Sequence, residues 1–275
     1  MKRLLLIPLL SVFLSCGLFA QNGNPDGVYA VMDSLVLKYV GAIQTESVET
    51  KQGECVFLIN SVKDSLLRQH LAVSLFKYYK DAPVMGDEAV AIWLYDNVFA
   101  PGKVHFRGEF EALDAEMFCN LNRNTLLGMD APVVLLRKPC IGRKAIPEKG
   151  KTSLIWFYDT ACSKCKAEAK LLPGLLGREV DFPLTVCAVY AGRDRKAWRE
   201  FRRTFKVSNP KVKVEHYWDP EISSDYLRLY GVMSTPRMYV VAPEGSIIGR
   251  RLELDSLLQL LPTAAELEKL FTKNQ

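Results

Sequence analysis

From about residue 126 onward, short β-rich runs alternate with helical ones, and this alternation most limits what the chain can fold into. Residues 132–136 and 152–158 are strand candidates, the second apolar enough to be buried on both faces. A helix is expected from about 162 to 176, kinked or ended by Pro173. Strands at 184–190 and 211–217 frame an amphipathic helix at 193–206, with Trp198, Phe201 and Phe205 facing inward. A short helix at 222–230 precedes a hairpin, 237–241 and 246–252, that turns at Pro243-Glu244-Gly245. Thr263 is expected to cap a last helix at 264–271. Strand–helix–strand order implies a parallel sheet, because parallel neighbours need a crossover. The closing hairpin makes that sheet mixed.

The first half has another texture. Val28, Met32, Leu35 and Tyr39 recur at helical spacing, as do Leu66, Leu67, Leu71, Leu75 and Tyr79. Asp87 is expected to cap a helix at 88–99, stopped by Pro101-Gly102. Phe110, Leu113, Met117 and Leu121 mark a fourth helix and its inward face. The expected organisation is an all-α helical domain at 21–123, with no nucleophile motif or paired metal-ligand spacing, then an α/β domain at 124–275.

Residues 1–20 read as a secretory signal peptide. Lys2 and Arg3 precede an apolar run at 4–14, and small Ala20 offers a cleavage site. The run is shorter than the ~20 residues needed to span a bilayer. An alternative uses Cys16 as a lipid-bearing cysteine that tethers the chain to a membrane. Both readings export the chain, with a periplasmic location expected, where disulfides form and persist. Composition is ordinary for a globular protein: 49% hydrophobic and 24% charged. That excludes wholesale disorder and a collagen-like repeat. The net charge of +5, from 36 Lys and Arg against 31 Asp and Glu, is too small to make nucleic acid or membrane the main partner.

Cys162-Ser163-Lys164-Cys165 lies between a buried strand and a helix. This C-x-x-C spacing near a βαβ pattern reads as a redox pair. The first cysteine sits at the helix N-terminus, where unpaired N–H groups and the macrodipole favour a thiolate, the attacking species. The second, one turn inside, is placed to resolve a mixed disulfide. Lys164 adds positive charge nearby. A zinc site would need two more ligands, and His70, His105 and His216 are scattered singles, so no metal is expected. An inert structural disulfide remains the bland alternative. Ser234-Thr235-Pro236 lies between the helix ending at Tyr230-Gly231 and the strand at 237–241, a place where proline serves a bend, usually with a cis bond.

Residues 156–168 (WFYDTACSKCKAE) and 230–236 (YGVMSTP), with LLGMDAP at 126–132, resemble the thioredoxin superfamily. The nearest branch is that of the exported TlpA/ResA-like thiol-disulfide oxidoreductases, and the resemblance covers residues 124–275. It implies a thioredoxin-like α/β fold and exchange with protein thiols and disulfides through a redox-active disulfide, without another cofactor. By position, Cys162 matches the nucleophile, Cys165 the resolving thiol and Pro236 the cis-proline facing them. Thr235 offers backbone to an extended substrate, with Ser163 and Lys164 beside it. Glu168 matches an acidic residue that tunes thiol pKa or relays a proton. The chain departs from thioredoxin at Trp156, where thioredoxin has a buried Asp, and in its Ser-Lys dipeptide. A reducing or isomerising direction is expected from the branch, acting with a redox partner protein that the sequence does not identify. A peroxidase of the superfamily would need Thr or Ser at Asp159 and Pro at Ile155. A thioredoxin-fold binding or scaffold module with a structural disulfide is the remaining alternative.

Cys187, inside an apolar strand, is expected to be a buried free thiol. Cys140 falls in a hairpin connection. A Cys55–Cys119 bridge is open to an exported chain, but sequence does not give connectivity. Arg193, Arg195, Lys196, Arg199, Arg202, Arg203 and Lys206 form a basic run read as a solvated helix face, with an anionic partner surface as the alternative.

Overall fold

The computed structural model describes residues 25–273, so the expected signal segment at 1–20 and Cys16 lie outside the described residues. The chain forms two compact units, one up to Asn120 and one from Leu121.

The first unit is helical: α1 (Pro25–Ala42), α2 (Val48–Ser61), α3 (Ser65–Lys80), α4 (Glu88–Leu94) with a π-turn at Tyr95–Phe99, and α5 (Glu109–Asn122), which ends in the second unit. Val28, Met32 and Tyr39 of α1 are buried, as are Leu67, Leu71, Leu75 and Tyr79 of α3. Two expectations are corrected. Asp87 makes no side-chain cap bond; its carboxylate instead pairs with buried Lys51 at 2.6 Å. Helix α2 carries that lysine among its buried positions, with Cys55, Leu58 and Ile59. On α5, Phe110, Leu113 and Met117 face solvent at 91%, 61% and 50% exposure, whereas Ala115, Phe118 and Cys119 are buried. This helix is apolar on two sides, and Phe118 packing edge-on to Phe76 selects the other one. Cys55 and Cys119 are both buried, and no disulfide joins them to each other.

The second unit is built on a seven-stranded mixed sheet of order β2-β1-β5-β4-β3-β6-β7. Its strands are β1 (Val134–Arg137), β2 (Arg143–Ile146), β3 (Thr152–Tyr158), β4 (Leu184–Tyr190), β5 (Val212–Trp218), β6 (Arg237–Val241) and β7 (Ile247–Arg250). β3, β4 and β5 run parallel in the middle, while β6 and β7 continue antiparallel beyond β3. Every residue of β3 and β4 is buried, because helices cover both faces. One face packs against α6 (Ser163–Glu179), α7 (Arg195–Thr204) and α9 (Leu254–Lys273), through Trp156, Leu172, Trp198, Phe205 and Leu257. The other packs Phe157, Val189 and Tyr239 against Tyr226 of α8 (Tyr226–Leu229) and the nearby Tyr230. The segment before β1 lies along β7, with Gly128 and Ala131 donating to Ile247 and Gly245 carbonyls and Ile247 donating to Met129.

Helix boundaries differ from expectation where proline was read as a stop. α6 runs through Pro173 to Glu179, carried by buried Leu172 and Leu176 on either side of it. α9 is twenty residues long and includes Pro262 and Thr263, so Thr263 caps nothing. Leu257, Leu261, Ala264, Ala265 and Glu268 keep a buried stripe through the proline, which sits on the exposed side. α8 is shorter than expected because Ile222 and Asp225 adopt left-handed backbone, with φ of 54° and 57°. Among the described residues, no helix is long and apolar enough to cross a membrane.

Candidate functional site

β3 delivers the chain to the site and α6 carries it away. Asp159 ends the strand with a turn: its Oδ1 accepts from the Ala161 N–H at 2.8 Å and its carbonyl from the Cys162 N–H at 3.2 Å. Cys162 is then the N-cap of α6, in extended backbone, and its sulfur accepts from the Cys165 N–H at 3.2 Å. A thiol thus occupies the place usually taken by a Ser or Asp oxygen. Ser163 and Lys164 open the helix and are exposed. Cys165, at 2% exposure, lies one turn in, with the Asp159 N–H directed at its sulfur at 3.5 Å.

The second wall comes from the loop between α8 and β6. Thr235-Pro236 is joined by a cis peptide bond, and the Cys162 thiol donates to the Thr235 carbonyl at 3.3 Å. Arg237 Nη2 donates to Ser234 Oγ at 3.1 Å, and Met233 stands 64% exposed at the loop tip. At the root of this loop, Gly231 has φ of +58°, and a Cβ there would meet the Leu121 carbonyl oxygen at 2.3 Å. Only glycine suits that position.

The two thiols are unequal acids. Partial burial pulls the Cys162 pKa upward, but the Cys165 side chain, the Cys165 and Lys164 backbone and Thr235 together outweigh it, and the pKa falls below its ordinary value. Burial pushes Cys165 the other way, to about 12. Glu168, one further turn along α6, is also buried, at 4% exposure. Burial raises its carboxyl to about 7, against the lowering pull of a hydrogen bond from Trp156 Nε1 at 3.1 Å and of the Lys164 charge. Trp156, where thioredoxin would have its buried Asp, thus fixes this carboxyl. Lys164 itself is exposed and ion-paired to Glu253 at 2.5 Å.

The structure therefore brings together Cys162, Cys165 and the Thr235–Pro236 bond, and places buried Glu168 one turn beyond Cys165 on α6. Asp159 and the Trp156–Glu168 contact were not singled out in sequence. A carboxylate two residues before a small residue at a helix start, and an indole N–H in a buried strand, were the available signals. Cys187 is a buried free thiol, and Cys140 an exposed one in the β1–β2 connection. Beside Cys165, a cleft of about 570 Å³ opens between α6 and α7. Among the described residues, no group of three or more His, Cys, Asp or Glu is placed to hold a metal ion.

No family model matches the chain, and no curated protein matches it. Among solved structures, a thioredoxin-like protein from Bacteroides caccae aligns over 85% of this chain and 84% of its own, with a TM-score of 0.64 and 14% identity. The thioredoxin domain of a thiol-disulfide oxidoreductase from Bacteroides vulgatus covers 50% of this chain and 97% of its own, with a TM-score of 0.44 and 22% identity. A thiol:disulfide interchange protein from a Bacteroides species covers 52% and 92%, with a TM-score of 0.43 and 22% identity. The B. caccae likeness shows the fold: a thioredoxin-like mixed sheet flanked by helices and preceded by a helical region.

Proposed function

We propose that this chain is an exported thiol-disulfide oxidoreductase acting on protein substrates through Cys162 and Cys165. The observation that carries the reading is the unequal pair: a thiol of lowered pKa capping a helix, and a buried one of raised pKa one turn behind. Cys162 thiolate attacks one sulfur of a substrate disulfide and expels the other as a thiolate. Cys165 then loses its proton and attacks the Cys162 sulfur, which releases the second substrate thiol. The enzyme ends as a disulfide, having given two electrons to the substrate, and a partner protein dithiol must reduce it again. In the reverse direction the same steps oxidise substrate thiols. The resemblance to the TlpA/ResA-like branch favours the reducing or isomerising direction.

Supporting roles follow from position. The Thr235 backbone beside Cys162 suits an extended substrate strand, with Pro236 behind it. Glu168, titrating near neutrality one turn beyond Cys165, is suited to take the Cys165 proton. The N-terminal signal pattern is the basis for export.

The test is equilibration of the mature protein with thiol redox buffers. A two-electron couple near −270 mV or below, the thioredoxin end of the scale, supports a reductase, and one near −120 mV makes it an oxidant. A pair that never equilibrates removes the function altogether. Cys165→Ser should trap Cys162 in a mixed disulfide with substrate, and Cys162→Ser should trap nothing.

A further inference from the structure

The β1–β2 hairpin carries an arrangement that costs stability. Arg137 and Arg143 are directly opposite partners in its register, and Trp218 of β5 is the partner of Arg137 on the other side. Opposite partners point to the same face of a sheet, with Cβ atoms about 4.5–5.5 Å apart, and like charges placed so repel. Glu221 relieves one of the two, through an ion pair to Arg137 at 2.5 Å. Among the described residues, Arg143 has no such partner, nor do exposed Lys138 in the hairpin connection and exposed Arg195 at the start of α7.

These groups line one cavity of about 490 Å³, a size that suits a small molecule. Its charged lining is Arg137, Lys138, Arg143 and Arg195 against Glu221 alone, four cations to one carboxylate. The carboxylates that flank it in sequence, Asp194 and Asp219, do not line it. Asp194 accepts from the Lys196 and Ala197 N–H groups, and Asp219 from the Ser223 hydroxyl and the Ser224 N–H. Trp198 and Trp218 form the aromatic wall, with ring centroids 5.0 Å apart, and Trp218 is the more exposed of the two. Guanidinium groups match carboxylate and phosphate oxygens in a fork geometry, so this lining selects an oxyanion. None of Cys162, Cys165, Thr235 or Pro236 lines the cavity.

We propose that this cavity binds a small organic polyanion with a flat ring. Its carboxylate or phosphate groups meet Lys138, Arg143 and Arg195, and its ring lies against Trp218. The ligand supplies the negative charge that Arg143 lacks, so the repulsion that weakens the empty hairpin becomes attraction in the complex. The site is separate from the disulfide-exchange reading and does not depend on it. Exposed Cys140 lines the same cavity and serves as a reporter of occupancy.

The probe is trimesate, a flat benzene tricarboxylate, titrated into the full-length protein by calorimetry at about 0.15 M salt, where distant surface charges are screened. One equivalent should bind, about 5-fold tighter than citrate, a trianion without a ring. The probe should slow iodoacetamide modification of Cys140 and leave that of Cys162 unchanged. Arg143→Glu with Arg195→Glu should weaken binding at least about 10-fold. Lys269→Glu with Lys273→Glu makes the same charge change on exposed α9 residues outside the cavity and should leave binding within about 2-fold. Arg143→Glu alone should raise the melting temperature of the ligand-free protein, because it turns a like-charged pair into an opposite one. No binding of trimesate, equal weakening by the two double variants, or an unprotected Cys140 overturns the site. Citrate binding as tightly as trimesate overturns the ring contact. A lower melting temperature for Arg143→Glu overturns the argument from repulsion.

Discussion

Cys162 and Cys165 are the same side chain three positions apart, and the protein makes them different acids. Position on the helix does most of this: one sulfur faces the open N–H groups of the first turn, the other lies inside the packed face. Alkylation of the reduced protein at rising pH, followed by mass spectrometry of peptides, should modify Cys162 well before Cys165, with the Cys162 midpoint below that of an ordinary thiol. Glu168 has the opposite linkage from a paired carboxylate. Its folded pKa, about 7, lies above its ordinary 4.5. Below pH 4.5 both states hold the proton and nothing is lost. As pH rises from 4.5 to 7 the unfolded chain ionises first, and stability falls by up to about 3 kcal/mol. Glu168→Gln keeps an acceptor for Trp156 and should melt higher than the native protein at pH 8, with no difference at pH 4. An equal gain at both pH values would show that the carboxyl does not titrate as described. The motif residues were legible in sequence because spacing encodes helix position. The burial of Glu168 was not, because it depends on Trp156 donating from a neighbouring strand.

Elements were legible where burial and period agree. β3 and β4 match expectation because both faces are covered, which makes them continuous apolar runs. Periodicity misjudged α5, because its outward side is as apolar as its inward side. It cut α9 short because Pro262 outweighed a stripe that crosses it; a proline on the solvent side removes one N–H without disturbing the packed face. The length of α9 has a purpose at its far end. Glu268 accepts from the Thr152 N–H at 3.2 Å and from the Thr152 hydroxyl, both at the buried start of β3. Glu268→Ala should lower unfolding free energy by about 2–4 kcal/mol in denaturant titration, since two buried donors lose their acceptor. A change below ~0.5 kcal/mol would mean water replaces the carboxylate there.

At the scale of the whole molecule, the second unit carries its own fastening at both ends of its fold. Arg250 on β7 donates to Asn122 Oδ1 at 2.9 Å and lies 3.3 Å from Thr125 Oγ1, so the chain entering the unit is tied to the sheet from inside. We therefore propose that a fragment of residues 121–275 folds alone. It should unfold in one cooperative thermal transition and keep the Cys162 alkylation profile; a broad, non-cooperative melt would mean that residues 25–120 are needed to complete it. The same sheet also governs how copies of this protein behave toward one another. An open sheet has two edges, each a template for intermolecular pairing and fibril growth. Here β7 is lined by the 128–131 segment, which takes up backbone groups at that edge. β2, at the other edge, is four residues long and begins with Arg143 and Lys144. Neither side offers a long, bare, apolar strand, so the fold resists edge-to-edge aggregation at the high local concentrations a chain meets as it emerges and folds.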